Sequence, residues 1–197
     1  MKRRITAFLF VCLCGLLFFC AASWRVLALH KEYPDPQIQT CQSGETLRHN
    51  SYDITFSEWQ WGNGSLISAA FPDFVFAGTR EGPEDVRVGL IMLTIRKNSE
   101  SAEHFDLTDI SFSSGAWGNQ FDLELFYMLN PTWDSLALDL KAGEEQSVIL
   151  PLTMLRIQFP PKEWEMIDNR EIYINIGYYP EHHRFVCPAR LGKVKTA

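Results

Sequence analysis

At 197 residues, with 46% hydrophobic and 13% aromatic content, the chain is long enough for one folded domain plus one apolar segment, and too apolar to be disordered over most of its length. Lys2, Arg3, Arg4 and Arg25 are the basic residues of the first 30 positions; from Lys31 onward 14 bases face all 24 acids, a net charge of −10. A nucleic-acid partner is excluded on that balance, because affinity for a phosphate backbone comes largely from basic charge.

The first element is apolar. Ile5 to Ala22, "ITAFLFVCLCGLLFFCAA", carries no charge and follows "KRR". As a helix it would span roughly 27 Å, near the thickness of a bilayer's hydrocarbon core, and "SWRVLAL" extends it with Trp24 at the interface. Its length favours a retained anchor over a cleaved signal peptide, for which "CAA" before Ser23 or "VLA" before Leu29 would be the cleavage sites. Lipidation at Cys20 fails because Phe19 stands where a small residue is needed. The charge pattern predicts a single-pass cell-membrane protein with a cytoplasmic N-terminus and an extracellular C-terminal domain. We divide the chain into a signal-anchor at 1–29, a proline-containing stalk at 30–40, a folded domain at 41–188 and a basic tail at 189–197.

Cys12, Cys14 and Cys20 lie in the apolar run, which leaves Cys41 and Cys187 in the exported part. They are a candidate disulfide, closing a loop worth on the order of 4–5 kcal/mol in the chain-entropy model, or else two free thiols. Spacing does not decide between these.

Within the domain, "SYDITFSEW" alternates Tyr52, Ile54 and Phe56 with polar residues, as a half-buried strand does. Residues 63–85 break that pattern with Gly, Pro and acids. They predict an excursion, the most mobile feature of the domain, with a short helical turn over Leu66 to Phe71. Glu81, Glu84 and Asp85 read as solubilising loop acids. Val86 to Ile95 is apolar in both registers, the mark of a central strand covered on both sides. Leu107, Ile110 and Phe112 predict the next strand, "FDLELFYML" a further one after a turn at Trp117, and Val148 to Met154 another, with Pro151 marking an edge or bulge. A short helix over Lys162 to Ile167 follows Pro161, and Ile172 to Tyr178 closes the domain. About seven strands with few helices predict an all-β sandwich.

Taken together, "LTIRKNSE", "FDLTDISFSSGAWGNQFDLELFYMLNP", "LKAGEEQSVILPL" and "FPPKEWEMIDNREIYINIGYYP" resemble an uncharacterised bacterial family of membrane-anchored extracellular domains. More loosely, the chain is similar to immunoglobulin-like extracellular domains that carry a "kNxs" turn after a central strand and a "kpGe" turn before a later one. Here those turns are Lys97, Asn98, Ser99 and Lys141, Ala142, Gly143, Glu144, with Ala142 in place of the commoner proline. The resemblance implies an immunoglobulin-like β-sandwich on the outer face of a Gram-positive type envelope, and it implies no activity.

Chemistry-bearing patterns are sparse. The serine-nucleophile elbow GxSxG is absent, no pair of CxxC motifs is present, and no cofactor or small-molecule substrate is indicated. His182 and His183 read as solvated loop histidines rather than a metal site, and Asp122 with Glu124 as the solvated side of a strand. Asp106 and Asp109 likewise lack the spacing of a calcium loop. The candidate binding surface is aromatic: Trp59 and Trp61, which share one face of "WQW", and Trp117 with Asn119 in "SGAWGNQ". For Trp117 the small neighbours favour a ring folded back over the sandwich, with display to a ligand as the alternative. The expectation is a non-catalytic surface module engaging another envelope protein, against a wall-glycan-binding or hydrolytic domain as the alternative.

Overall fold

The structure is a computed structural model that describes residues 2–76 and 82–187, with side chains described from Cys12 onward. The basic tail at 189–197, and residues 77–81 of the excursion, including Glu81, lie outside the described residues. Contacts divide the chain into two units, 1–37 and 38–197. The first unit is dominated by α1, Lys2–Glu32. Its apolar stretch Cys12–Glu32 has a mean hydropathy of 2.0 and buries none of its side chains. Those 21 residues span about 31 Å, enough to cross a bilayer, although a signal sequence has the same character. The helix continues to Glu32 and a strand starts at Gln37, so the extended connection is confined to 33–36 and is shorter than the expected stalk.

The second unit is a β-sandwich. After β1 (Gln37–Cys41) come β2 (Thr46–His49), β3 (Tyr52–Asn63), α2 (Ser65–Ser68), β4 (Val86–Lys97), β5 (Phe105–Asp106), β6 (Ile110–Ser114) and β7 (Trp117–Asn119). Then follow α3 (Leu123–Leu129), β8 (Ala137–Leu138), β9 (Glu145–Leu155), α4 (Pro161–Glu165), β10 (Ile172–Ile176) and β11 (Glu181–Cys187). One sheet has the order β1-β11-β10-β6-β7, the other β2-β3-β4-β9, and β5-β8 forms a small ribbon. The chain crosses from β4 to β6, returns to the four-stranded sheet at β9 and crosses again to β10. That alternation is the strand logic of an immunoglobulin sandwich.

Between the sheets the alternate residues interleave. Tyr52, Ile54 and Phe56 of β3, Ile91, Leu93 and Ile95 of β4 and Val148, Leu150 and Leu152 of β9 meet Ile110, Phe112, Ile174, Ile176 and Phe185 of the opposite sheet. Phe56 and Phe185, both fully buried, touch across the gap with ring centroids 5.9 Å apart. β4 is covered on its outer face too. Val86 and Val88 pack there against Ile67 and Phe76 of the excursion and Leu125 of α3, so the described part of the excursion is a packed cover. Beyond it, Leu90, Met92 and Ile149 stay half-buried.

Two expectations need correction. "FDLELFYML" forms the helix α3: the Asp122 side chain accepts from Leu125 N at 3.1 Å, and this N-cap with Glu124 in the first turn favours a helix over a strand. Asp85 is not a solvated acid but is buried, its Oδ1 3.4 Å from Arg156 Nη1. Of the two alternatives the sequence leaves open for Cys41 and Cys187, the structure has free thiols, both buried in one core with β1 beside β11. Burial raises the pKa of both, and Glu45 adds to the effect at Cys41. As buried thiols they pack as small apolar side chains of that core.

Candidate functional site

The predicted indoles form a seam with internal partners. Between Phe56 and Glu58 the pairing of β3 with β4 slips by one residue, a bulge that returns Trp59 and Trp61 to the face already used by Phe56. Their rings stack with centroids 5.3 Å apart, and Trp59 is only 7% exposed. The Trp61 indole N–H donates to Asp168 Oδ1 at 2.9 Å, and the same oxygen accepts from Arg87 Nε at 2.9 Å. The Arg87 guanidinium lies 5.3 Å from the centre of the Trp164 ring, Trp164 contacts Phe159, and Phe159 stacks on Trp117 at 6.2 Å. Trp117 follows the turn at Gly115 as the first residue of β7, and its N–H donates to Gln158 Oε1 at 3.1 Å. The Arg170 guanidinium lies 5.3 Å from the centre of the Phe159 ring and donates to Ser114 O at 3.0 Å.

These contacts bring Trp59, Trp61 and Trp117 into one aromatic and arginine run whose polar atoms mostly face one another. The buried N–H of Trp59 has no hydrogen-bond partner among the described residues. Asn119 is exposed and uses its side chain locally, accepting from Gln120 N at 2.9 Å. Trp117 is half-buried over Phe159, so most of what it offers is packing.

Asp106 and the two adjacent histidines are also engaged. Asp106 caps the short 3-10 turn at 107–109 through Thr108 N at 2.9 Å. His182 and His183 lie on β11, not in a loop, and point to opposite faces. His182 Nε2 is 2.9 Å from Asn175 Oδ1, and His183 is buried with its Nδ1 3.2 Å from Nδ1 of His49. Desolvation lowers the pKa of His182, with Arg184 and His183 acting in the same direction. Among the described residues no group of three or more His, Cys, Asp or Glu side chains is placed to hold a metal ion.

Sequence reasoning missed a cavity of about 570 Å³ beside the β5-β8 ribbon. Trp133, Leu140 and Leu138 give it an apolar wall, and Asp134, Asp139 and His104 a polar one. His104 Nδ1 lies 3.6 Å from Asp139 Oδ1, while the Trp133 ring is braced edge-on by Phe126 at 5.7 Å. The lining comes from three separate stretches: 104, 132–140 and 146. In the sequence "NPTWDS" reads as punctuation between strands, and only the folding of α3 back against β9 turns it into a wall. Its volume is in the range of small-ligand sites, and an aromatic face with two carboxylates suits a hydroxylated or cationic group.

A family model matches residues 72–183, more than half of the chain, and it is described as a domain of unknown function, DUF5028. The chain belongs to this family. The match runs from the excursion to β11 and so takes in both β4 and the cavity wall. No curated protein matches the chain. Among solved structures, an uncharacterised β-sandwich protein from Clostridium difficile 630 is similar at a TM-score of 0.42 and 10% identity, covering 77% of this chain and 95% of its own. A functionally unknown protein from Listeria monocytogenes EGD-e gives 0.43 and 10%, covering 76% and 84%. The yjhA protein from Bacillus subtilis gives 0.41 and 13%, covering 68% and 81%.

Proposed function

We propose that this member of the DUF5028 family is a non-catalytic binding module, held at the cell membrane by α1 with its sandwich on the extracellular side, that engages another envelope protein. The observation that supports this reading is the cavity beside the β5-β8 ribbon. It is open, it joins an aromatic wall to Asp134 and Asp139, and it is built from loops on a rigid sandwich. A basic or hydroxylated side chain of a partner fits that lining. The basic N-terminal cluster supports the orientation, since positive charge is retained on the cytoplasmic side.

A second reading, wall-glycan binding, draws on the same cavity, because an indole face beside carboxylates and hydroxyls also suits a sugar ring. In-cell crosslinking of the full-length protein followed by mass spectrometry separates the two. For the protein-partner reading, one stoichiometric protein is recovered with the wild type, and Trp133→Ala loses it while the domain remains folded. Recovery of wall fragments alone transfers the assignment to glycan. Protease treatment of intact cells tests the orientation: the sandwich is cleaved from outside if it is extracellular and survives if it is not.

A further inference from the structure

We propose that the cavity beside the β5-β8 ribbon takes one guanidinium group, so that the partner engages this module through an arginine side chain. The inference rests on the cavity being the binding site of the module, and it commits that site to one chemistry. The ribbon sets the polar side. Phe105 pairs with Leu138 and Asp106 with Ala137, so the next rung puts His104 opposite Asp139. Their side chains lie 3.6 Å apart, both mostly exposed, and both line the cavity. Leu138, one residue earlier, points the other way into the core, as alternation along a strand requires.

The aromatic side comes from the turn that follows α3. The backbone N–H of Trp133 donates to Asn130 O at 3.0 Å, and the Phe126 ring stands at 84° to the indole with centroids 5.7 Å apart. The indole is thus held in place before any ligand arrives. Asp134 is the next residue. Its carboxylate has no hydrogen bond or ion pair among the described residues, and that of Asp139 has only His104. No lysine or arginine lines the cavity. Two carboxylates therefore accompany an indole and an aliphatic wall without a cation of their own.

That lining discriminates between ligands. A neutral ligand filling the space displaces water from the carboxylates and returns only neutral hydrogen bonds. A cation returns charge-assisted ones, about twice as strong. Of the two cationic side chains, arginine suits this set of groups better. Its plane stacks on an indole, its fork of N–H groups meets a carboxylate with two bonds, and its aliphatic stem is covered by apolar side chains such as Leu138 and Leu140. An ammonium is a compact point charge and is more strongly hydrated.

Size and charge agree with this occupant. At about 570 Å³ the cavity admits the arginine together with the backbone that carries it. From Lys31 onward the chain has a net charge of −10, which draws a basic segment toward the domain and weakens as salt rises.

The test titrates the full chain in detergent micelles at pH 7.5 and follows the indole N–H resonance of Trp133, assigned by its loss in Trp133→Phe. The probes are acetyl-Gly-Arg-Gly-amide, the same peptide with lysine, the same peptide with citrulline, which keeps the shape of arginine without its charge, and a tetramer of N-acetylglucosamine. The arginine peptide is expected to shift the resonance saturably, with a dissociation constant at least tenfold below that of the citrulline peptide and at least threefold below that of the lysine peptide. Asp134→Asn, an exposed position, weakens the arginine peptide at least fivefold and leaves the citrulline peptide unchanged. No saturable shift with arginine, equal binding of the citrulline or lysine peptide, or saturable binding of the sugar alone overturns the inference. The crosslinking experiment is read separately. A recovered partner protein together with equal binding of arginine and citrulline keeps the binding module and removes the guanidinium site, whereas selective arginine binding with no recovered protein keeps the guanidinium site and removes the envelope-protein partner.

Discussion

Lys97 shows how much a single position does here. It is the last residue of β4, only 4% exposed, and its ammonium donates to Glu103 O at 3.0 Å while lying 5.5 Å from the centre of the Tyr52 ring. Tyr52 donates to the same carbonyl at 2.8 Å, so one backbone oxygen anchors both side chains beneath the loop that leads to His104. Gly89 matters for what it lacks. A Cβ there would lie 2.6 Å from the Trp59 ring, so Gly89→Ala is expected to cost about 1–3 kcal/mol in urea unfolding and to shift tryptophan emission as the stacked pair moves. The buried thiols give a second check at this scale. Iodoacetamide is expected to spare Cys41 and Cys187 in the folded protein and to modify both once guanidinium unfolds it, read by peptide mass; rapid native-state labelling would contradict their burial.

Among the elements, α3 and β9 depend on each other. β9 is the edge of its sheet, and its outward backbone groups need partners. Asn130, buried just after α3, supplies them: its Nδ2 donates to Ile149 O at 2.8 Å and its Oδ1 accepts from Ile149 N at 2.9 Å. Asp122 N donates to Pro151 O at 2.9 Å, and proline has no N–H of its own to leave bare. The segment thus covers the edge as a further strand would. Asn130→Ala strands both groups of Ile149 and is expected to cost about 2–4 kcal/mol, with concentration-dependent association by light scattering as the edge is uncovered. Pro151 announces an edge strand in the sequence, but that a helix rather than a strand would cover it does not show. The apolar spacing of "FDLELFYML" suits either period, and the N-cap decides it.

For the whole molecule, the two turns singled out in the sequence meet. Lys97 N donates to Glu144 O at 3.0 Å and Gly143 N to Lys97 O at 2.8 Å, which locks the "KNSE" and "KAGEE" turns together at the end of the β4-β9 pair. Asn98 N adds a bond to Ser51 O at 2.9 Å, tying in the β2-β3 turn. The sheets themselves are joined through the aromatic contact of Phe56 and Phe185. A double-mutant cycle with Phe56→Leu and Phe185→Leu is expected to show a coupling on the order of 0.5–1.5 kcal/mol; strictly additive effects would mean that the sheets pack independently.

What the sequence determined by itself is what depends on near neighbours along the chain. The apolar helix, the alternation of Tyr52, Ile54 and Phe56, the doubly covered β4 and the proline-initiated α4 are all set by spacing and by local backbone preference. Only the tertiary structure decided which distant residues share a surface. The bulge in β3 sets the face taken by Trp59 and Trp61, and α3 on β9 turns "NPTWDS" into a cavity wall. The packing of two sheets brings His49 within 3.2 Å of His183, 134 positions away. Such contacts are fixed by the burial of the whole core, because no local preference acts between residues so far apart in the chain.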